Sequence, residues 1–168
     1  RKMDFHNDVK INGLSTVKNK LPSNWNDLAS KFISYGYGIS ISPISLVSVY
    51  CSLVNGGFKI NPKIHITDKS NKEKVLKSLT SQKVNNLLRK IVESGTGKNA
   101  KVNGLTVGGK TGTSRKLENG EYSEKKVITS FIGTFPISKP KYIAFVLFDD
   151  PRRNTKEFLE NFGGNTAA

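Results

Sequence analysis

Residues 108–114 read Gly-Gly-Lys-Thr-Gly-Thr-Ser, and this segment says more about the protein than any other. On a strand edge, Lys110 supplies a positive charge and Gly112 lets a ligand approach the backbone. Thr111 and Thr113 add hydroxyl groups, and a backbone N–H there can stabilise a carbonyl oxygen that becomes an oxyanion. The segment could therefore bind an anionic substrate. Taken alone, however, these residues favour a simpler interpretation, a glycine-containing edge strand with solvated lysine and threonine.

A nucleotide-binding loop is a second interpretation of the same segment. Gly104, four residues, then Gly109-Lys110-Thr111 satisfies the P-loop spacing. A P-loop must open a helix whose N-terminus holds the phosphates. The residues after Thr111 lack helical periodicity, so the context disfavours this interpretation.

The last third of the chain is predicted to form three strands, over 105–113, 126–135 and 142–148. Asn119-Gly120, a favoured hairpin turn pair, separates the first two strands. Residues 142–148 are apolar on both faces, which is typical of a central strand, so this strand is expected to need a partner that the chain does not supply.

Helices are predicted before these strands, which makes the fold class α+β with an antiparallel sheet. Ser42-Pro43 should open a buried helix over 44–54, and apolar residues at helical spacing predict another over 80–95, capped by Thr80 or Ser81. A short helix is expected over 26–34. The intervening chain is expected to be extended over 58–67 and a charged surface turn over 68–77.

Composition limits the other functions. The 168 residues carry a net charge of +14 that is spread over the whole chain, and they contain no aromatic–basic pattern typical of nucleic-acid binding. Cys51 is the single cysteine and is expected to be a buried core residue, so there is no internal disulfide. Two histidines, His6 and His65, do not make a metal-ligand pattern, and no metal or cofactor is expected.

Several further segments, taken in order, resemble class B penicillin-binding proteins, most closely the cell-division (septal) branch. Lys-Thr-Gly is one of the three motifs of penicillin-binding proteins and serine β-lactamases. The other matching residues are Leu21-Pro22, Trp25, the segment 35–46, Tyr50, Asn55-Gly-Gly57, Gly95-Thr-Gly97, Ala100, Phe131-Ile-Gly-Thr-Phe-Pro136 and Asp150-Pro151. The resemblance covers the chain from about residue 12 to 168.

The resemblance implies a penicillin-binding-protein/serine β-lactamase-like fold and a D,D-transpeptidase that cross-links peptidoglycan. By position, Lys110 would be the catalytic lysine that organises the serine of the S-x-N motif. Thr111 and Thr113 would bind the substrate carboxylate, Gly112 would leave room for the substrate strand, and the Thr113 N–H would form half of the oxyanion hole.

The chain departs from the family pattern at the nucleophile. It has no S-x-N triplet, and its S-x-x-K spellings, at Ser15, Ser123 and Ser138, fall in loops or strand connections rather than at a helix N-terminus. We therefore expect residues 1–168 to be the C-terminal portion of one transpeptidase domain, without a nucleophile of its own and inactive alone. Such a piece is expected to be poorly soluble or only partly folded.

The resemblance also implies partners and a location. The expected ligands are peptidoglycan stem peptides and, in the full-length protein, β-lactams. Divisome membrane proteins are expected partners, and nucleic acid is not. The expected location is the bacterial inner membrane with the catalytic domain on the periplasmic side. The alternative is a non-catalytic basic binding module of the same fold.

Overall fold

The structure is a computed structural model that describes residues 8–151 and residue 167. The chain divides into two compact units, Arg1–Gln82 and Lys83–Ala168. The helices are α1 (Asp27–Ser34), α2 (Pro43–Val54) and α3 (Ser78–Ser94), with a 3-10 turn at Lys98–Ala100. The strands are β1 (Phe58–Ile60), β2 (Lys72–Lys74), β3 (Gly108–Glu118), β4 (Glu121–Phe135) and β5 (Tyr142–Asp149). Helices combined with antiparallel sheets confirm the predicted α+β class.

The first two helices begin where their capping residues predict. The Asn26 side chain accepts a hydrogen bond from the Ala29 N–H at 2.8 Å and caps α1. Ser42 Oγ accepts from the Ser45 N–H at 3.3 Å, and Pro43 opens α2. Every α2 residue after Pro43 is buried or half-buried, as its continuous run of apolar and small residues predicts.

The predicted surface turn over 68–77 is wrong in part, because it contains a strand. β1 and β2 pair antiparallel, with Phe58 opposite Lys74. The ammonium of Lys74 lies 4.3 Å from the centre of the Phe58 ring and donates to the Gly56 carbonyl at 2.6 Å. β2 reads Lys-Glu-Lys and is fully exposed, so it has none of the apolar alternation that marks a strand in sequence. β1 is also shorter than the predicted extended segment 58–67.

α3 confirms the predicted helix but corrects its cap. The helix begins at Ser78, so Ser81 lies within its first turn. Ser81 is 1% exposed; its hydroxyl donates to the Leu53 carbonyl at 2.6 Å and accepts from the Gly56 N–H at 2.9 Å. The serine that was expected to cap α3 instead binds the end of α2. Gly95 follows the last helical residue, as predicted.

The second unit contains a three-stranded antiparallel sheet in the order β3-β4-β5. Asn119 and Gly120 have positive φ angles of 51° and 90°, which match a two-residue hairpin turn and confirm the prediction from their sequence. β3 and β4 extend to this turn and are therefore longer there than predicted. The core of this unit contains Val92, Val107, Phe131 and Ala167.

Within the described residues, β5 pairs with β4 alone and forms an edge of the sheet. Its apolar side chains are exposed on both faces: 40% for Val146, 45% for Leu147 and 44% for Phe148. This exposure agrees with the expectation that β5 needs a further partner, and the identity of that partner stays a prediction.

The expected burial of Cys51 holds in part. The residue is half-buried, and burial raises the pKa of its thiol, while a hydrogen bond from the Asn55 amide acts in the opposite direction. Every helix in the described part of the chain is too short or too polar to span a bilayer.

Candidate active site

Lys110, Thr111 and Gly112 lie on β3, whose only strand neighbour among the described residues is β4. The register places Lys110 opposite Ile132 and Thr111 opposite Phe131. An edge strand presents backbone N–H and C=O groups that an extended peptide can pair with. The tripeptide Lys110-Thr111-Gly112 therefore lies at a sheet edge where an extended peptide could pair with β3 and add one strand to the sheet.

The side chain of Lys110 is on the surface of this edge. Lys110 is exposed, and its Nζ donates a hydrogen bond to the Thr111 carbonyl at 2.6 Å. Side chains alternate along a strand, so Lys110 is on one face of the sheet while Thr111 and Thr113 share the other. The lysine thus places a cation beside the strand backbone rather than in a buried ion pair.

Thr111 is half-buried, and its hydroxyl is held by a second threonine. Thr111 Oγ1 and Thr96 Oγ1 are 2.9 Å apart, and either atom can be the donor. Thr96 follows α3 in the segment Gly95-Thr-Gly97. This segment is one of those that resemble class B penicillin-binding proteins, but the resemblance implies no role for Thr96. The available signal was a threonine between two glycines directly after a helix.

Thr113 lies two residues further along β3, opposite Thr129, and is exposed. Because backbone direction has a period of two residues in a strand, its N–H and C=O point toward the same side of β3 as those of Thr111. The structure therefore brings the two threonines and the lysine together on one short stretch of edge.

The two glycines before Lys110 are required by packing. A Cβ on Gly109 would lie 2.3 Å from Phe131 Cζ and 2.7 Å from the Ile132 carbonyl oxygen. A Cβ on Gly108 would lie 2.7 Å from Ile137 Cδ1. The Phe131 ring thus occupies the space that a side chain at 109 would need, and this contact ties the start of β3 to the core of the unit.

At Gly112, packing within this chain excludes a side chain less strictly than it does at Gly109. A Cβ there would lie 2.6 Å from Ser130 Oγ, which is the end of a small side chain that can rotate. No other atom lies within 4 Å of that Cβ position among the described residues. Space for a ligand therefore remains a second reason for glycine at this position.

The structure does not support a P-loop at Gly104–Thr111. The chain after Thr111 continues as β3 to Glu118, so no helix N-terminus faces the lysine.

The serines of the three S-x-x-K sequences are also poorly placed for a nucleophile. Ser15 is exposed in an irregular segment, Ser123 lies within β4, and Ser138 is exposed in the β4–β5 turn. Within the described residues, no group of His, Cys, Asp and Glu side chains could hold a metal ion.

The edge strand β3 thus carries Lys-Thr-Gly, which is one of the three motifs of penicillin-binding proteins and serine β-lactamases. The family model described as "Penicillin binding protein transpeptidase domain" matches residues 1–167. The chain belongs to this family, in its class B, cell-division branch.

Relatives with similar sequences support this assignment. The chain is 32% identical over 185 residues to the peptidoglycan D,D-transpeptidase FtsI homolog of Mesostigma viride, a match that covers 95% of the chain and 30% of that protein. It is 36% identical over 148 residues to the stage V sporulation protein D of Bacillus subtilis, covering 80% of the chain and 22% of that protein. The chain thus spans less than a third of the length of either relative.

Solved structures show the same fold. The transpeptidase domain of Burkholderia pseudomallei penicillin-binding protein 3 is similar with a TM-score of 0.78 and 29% identity, covering 93% of this chain and 47% of that one. Penicillin-binding protein 3 of Mycobacterium tuberculosis, solved in complex with ampicillin, gives a TM-score of 0.71 at 23% identity and covers 82% of this chain and 35% of that one. The partial transpeptidase fold expected from sequence is confirmed.

Proposed function

We propose that this chain supplies the Lys-Thr-Gly wall of a peptidoglycan D,D-transpeptidase that acts in septal cell-wall synthesis. The observation that carries the proposal is Lys110-Thr-Gly112 on the edge of β3, in a chain that the transpeptidase family model matches from residue 1 to 167. Two relatives support the same reaction: the peptidoglycan D,D-transpeptidase FtsI homolog of Mesostigma viride and the probable peptidoglycan D,D-transpeptidase FtsI of Caulobacter vibrioides.

The proposed reaction has two acyl transfers. A serine hydroxyl attacks the carbonyl carbon of the penultimate D-Ala, an ester bond forms, and the amide bond to the terminal D-Ala breaks. The leaving amine takes up a proton and departs as D-Ala. The amine of a second stem peptide then attacks the ester carbonyl carbon, so that the cross-linking amide bond forms and the ester bond breaks, and the proton that this amine loses goes to the serine oxygen.

The role that we propose for each residue is the one that the family resemblance implies for its position. Lys110 supplies positive charge beside the serine of the S-x-N motif. Thr111 and Thr113 share one face of β3 and bind the substrate carboxylate, which is an acceptor only. The Thr113 N–H is half of the oxyanion hole, and Gly112 lets the substrate strand approach.

We further propose that residues 1–168 are the C-terminal portion of one transpeptidase domain. The S-x-x-K serine and the S-x-N motif would be supplied by other residues of the full-length gene product. Two observations support this division: the 168 residues contain no S-x-N triplet, and they span 30% and 22% of two relatives. The isolated chain is then inactive.

The partners and location follow from the same proposal. Stem peptides are the substrate, and β-lactams are mechanism-based ligands of the full-length protein. The ampicillin complex of the Mycobacterium tuberculosis protein supports the second point by analogy of fold. Divisome membrane proteins and a membrane-anchored, periplasmic catalytic domain are the corresponding proposals for assembly.

The test is penicillin acylation of the full-length gene product and of its Lys110→Ala variant. Lys101 is also exposed and lies outside the tripeptide, so Lys101→Ala is the matched control. We expect Lys110→Ala to abolish acylation and Lys101→Ala to leave it unchanged. Near-normal acylation of Lys110→Ala would exclude the role assigned to this lysine. A folded sample that instead binds DNA with strong salt dependence would favour a non-catalytic basic module.

A further inference from the structure

The loop that carries Thr96 is fixed to α3 by its backbone. The N–H groups of Gly95 and Gly97 both donate to the Ile91 carbonyl at 3.1 Å. A Cβ on Gly95 would lie 2.9 Å from Ile91 Cα, and one on Gly97 would lie 3.4 Å from the Phe131 ring. The two glycines let the chain turn tightly at the helix end, so Thr96 is held at a defined place beside β3.

Binding of an anion to Thr111 would fix which hydroxyl is the donor in the hydrogen bond between Thr96 and Thr111. Each hydroxyl has one proton to donate and can also accept. A carboxylate can only accept, so Thr111 must donate to it. The 2.9 Å contact with Thr96 can then persist only if Thr96 donates to Thr111. Hydrogen bonds arranged in this order polarise one another and strengthen the last bond in the chain.

We propose that Thr96 is a positioning residue for carboxylate recognition. It orients the Thr111 hydroxyl so that the Thr111 proton points away from Thr96 and toward the substrate carboxylate. This inference rests on the proposed function, because it takes Thr111 as a carboxylate ligand. The inference adds to the site a residue outside the Lys-Thr-Gly segment. It also fixes the direction of a hydrogen-bond relay in which Thr96 donates to Thr111 and Thr111 donates to the carboxylate.

The test compares the second-order rate of acylation of the full-length gene product by benzylpenicillin and by its methyl ester, which lacks the carboxylate charge. Thr96→Val keeps the shape of the side chain and removes the hydroxyl. Thr96→Ser keeps the hydroxyl and removes a methyl group. One neutral hydrogen bond corresponds to roughly a two- to tenfold effect. We expect Thr96→Val to slow acylation by benzylpenicillin by this factor, with little change for the ester, and Thr96→Ser to restore the rate.

Thr111→Val separates failure of this inference from failure of the proposed function. If Thr111→Val does not change the preference for the free acid over the ester, the carboxylate role of Thr111 fails and the relay fails with it. If Thr111→Val lowers that preference and Thr96→Val does not, Thr96 has no positioning role. Equal losses with acid and ester for Thr96→Val would show a general structural effect and would also overturn the inference. Should Thr96→Val not fold, Thr96→Ala against Thr96→Ser gives the same hydroxyl comparison.

Discussion

Gly109→Ala tests whether the glycine before Lys110 is required by packing. The new methyl group would lie 2.3 Å from Phe131 Cζ, 2.9 Å from Phe131 Cε2 and 2.7 Å from the Ile132 carbonyl oxygen. The Ile132 oxygen belongs to the paired strand, so it cannot move without disturbing the ladder between β3 and β4. The Phe131 ring is also restricted, because it is 7% exposed and lies against Gly133 on its other side.

The size of the effect follows from the cost of overpacking. An extra methyl in a well-packed core costs about 1–3 kcal/mol. Replacing glycine by alanine lowers the entropy of the unfolded chain and returns roughly 0.5–1 kcal/mol. We expect a net loss of about 1–2 kcal/mol in the local opening free energy of β3 and β4. This corresponds to roughly 5- to 30-fold faster amide exchange.

Hydrogen exchange followed by mass spectrometry measures this loss in peptides that cover 108–113 and 129–134 of the full-length gene product. Gly112→Ala is the matched control, since its methyl meets only Ser130 Oγ at 2.6 Å, and that side chain can rotate. Phe131→Leu in the Gly109→Ala background removes the ring atoms that clash and should recover part of the protection. Unchanged exchange in Gly109→Ala, or no recovery in the double variant, would refute the packing explanation.

Three further predictions concern other parts of the chain. Tyr50 is 5% exposed, and its hydroxyl has no hydrogen-bond partner among the described residues. Tyr50→Phe should therefore raise the free energy of unfolding, measured by urea denaturation, by about 1 kcal/mol. A loss of stability would reveal a partner outside those residues. Burial raises the pKa of the Cys51 thiol, so the native protein at pH 8 should react with iodoacetamide more slowly than the urea-unfolded protein. Equal rates would contradict the half-buried placement of this thiol. The exposed apolar edge of β5 should make isolated 1–168 aggregate or fold only partly, whereas a monomer with one sharp thermal transition would show that β5 needs no partner.

The elements that could be predicted from sequence are those with local signals. Ser42 and Pro43 mark the start of α2, Asn119-Gly120 marks the hairpin, and spaced apolar residues mark α3. β2 could not be predicted, because its three charged residues are held by pairing with β1 and by the contact of Lys74 with Phe58. Strand pairing of this kind depends on residues far apart in sequence.

The candidate site shows the same division. Lys-Thr-Gly can be recognised from sequence because three adjacent residues carry it. Thr96 could not be assigned a role, because its partner Thr111 is 15 residues away and only the fold brings the hydroxyls together. The packing role of Gly109 was equally hidden, since Phe131 fills its space from the neighbouring strand. Ser81 shows the reverse error: a serine at a plausible capping position forms long-range hydrogen bonds instead.

The most direct test of the central claim is to map the penicillin adduct on the full-length gene product by peptide mass spectrometry, with and without Lys110→Ala. The claim predicts one acylated serine, in an S-x-x-K motif outside residues 1–168, and no adduct in the variant. An adduct on Ser15, Ser123 or Ser138, or an adduct that survives Lys110→Ala, would contradict the claim that this chain contributes the Lys-Thr-Gly wall and not the nucleophile.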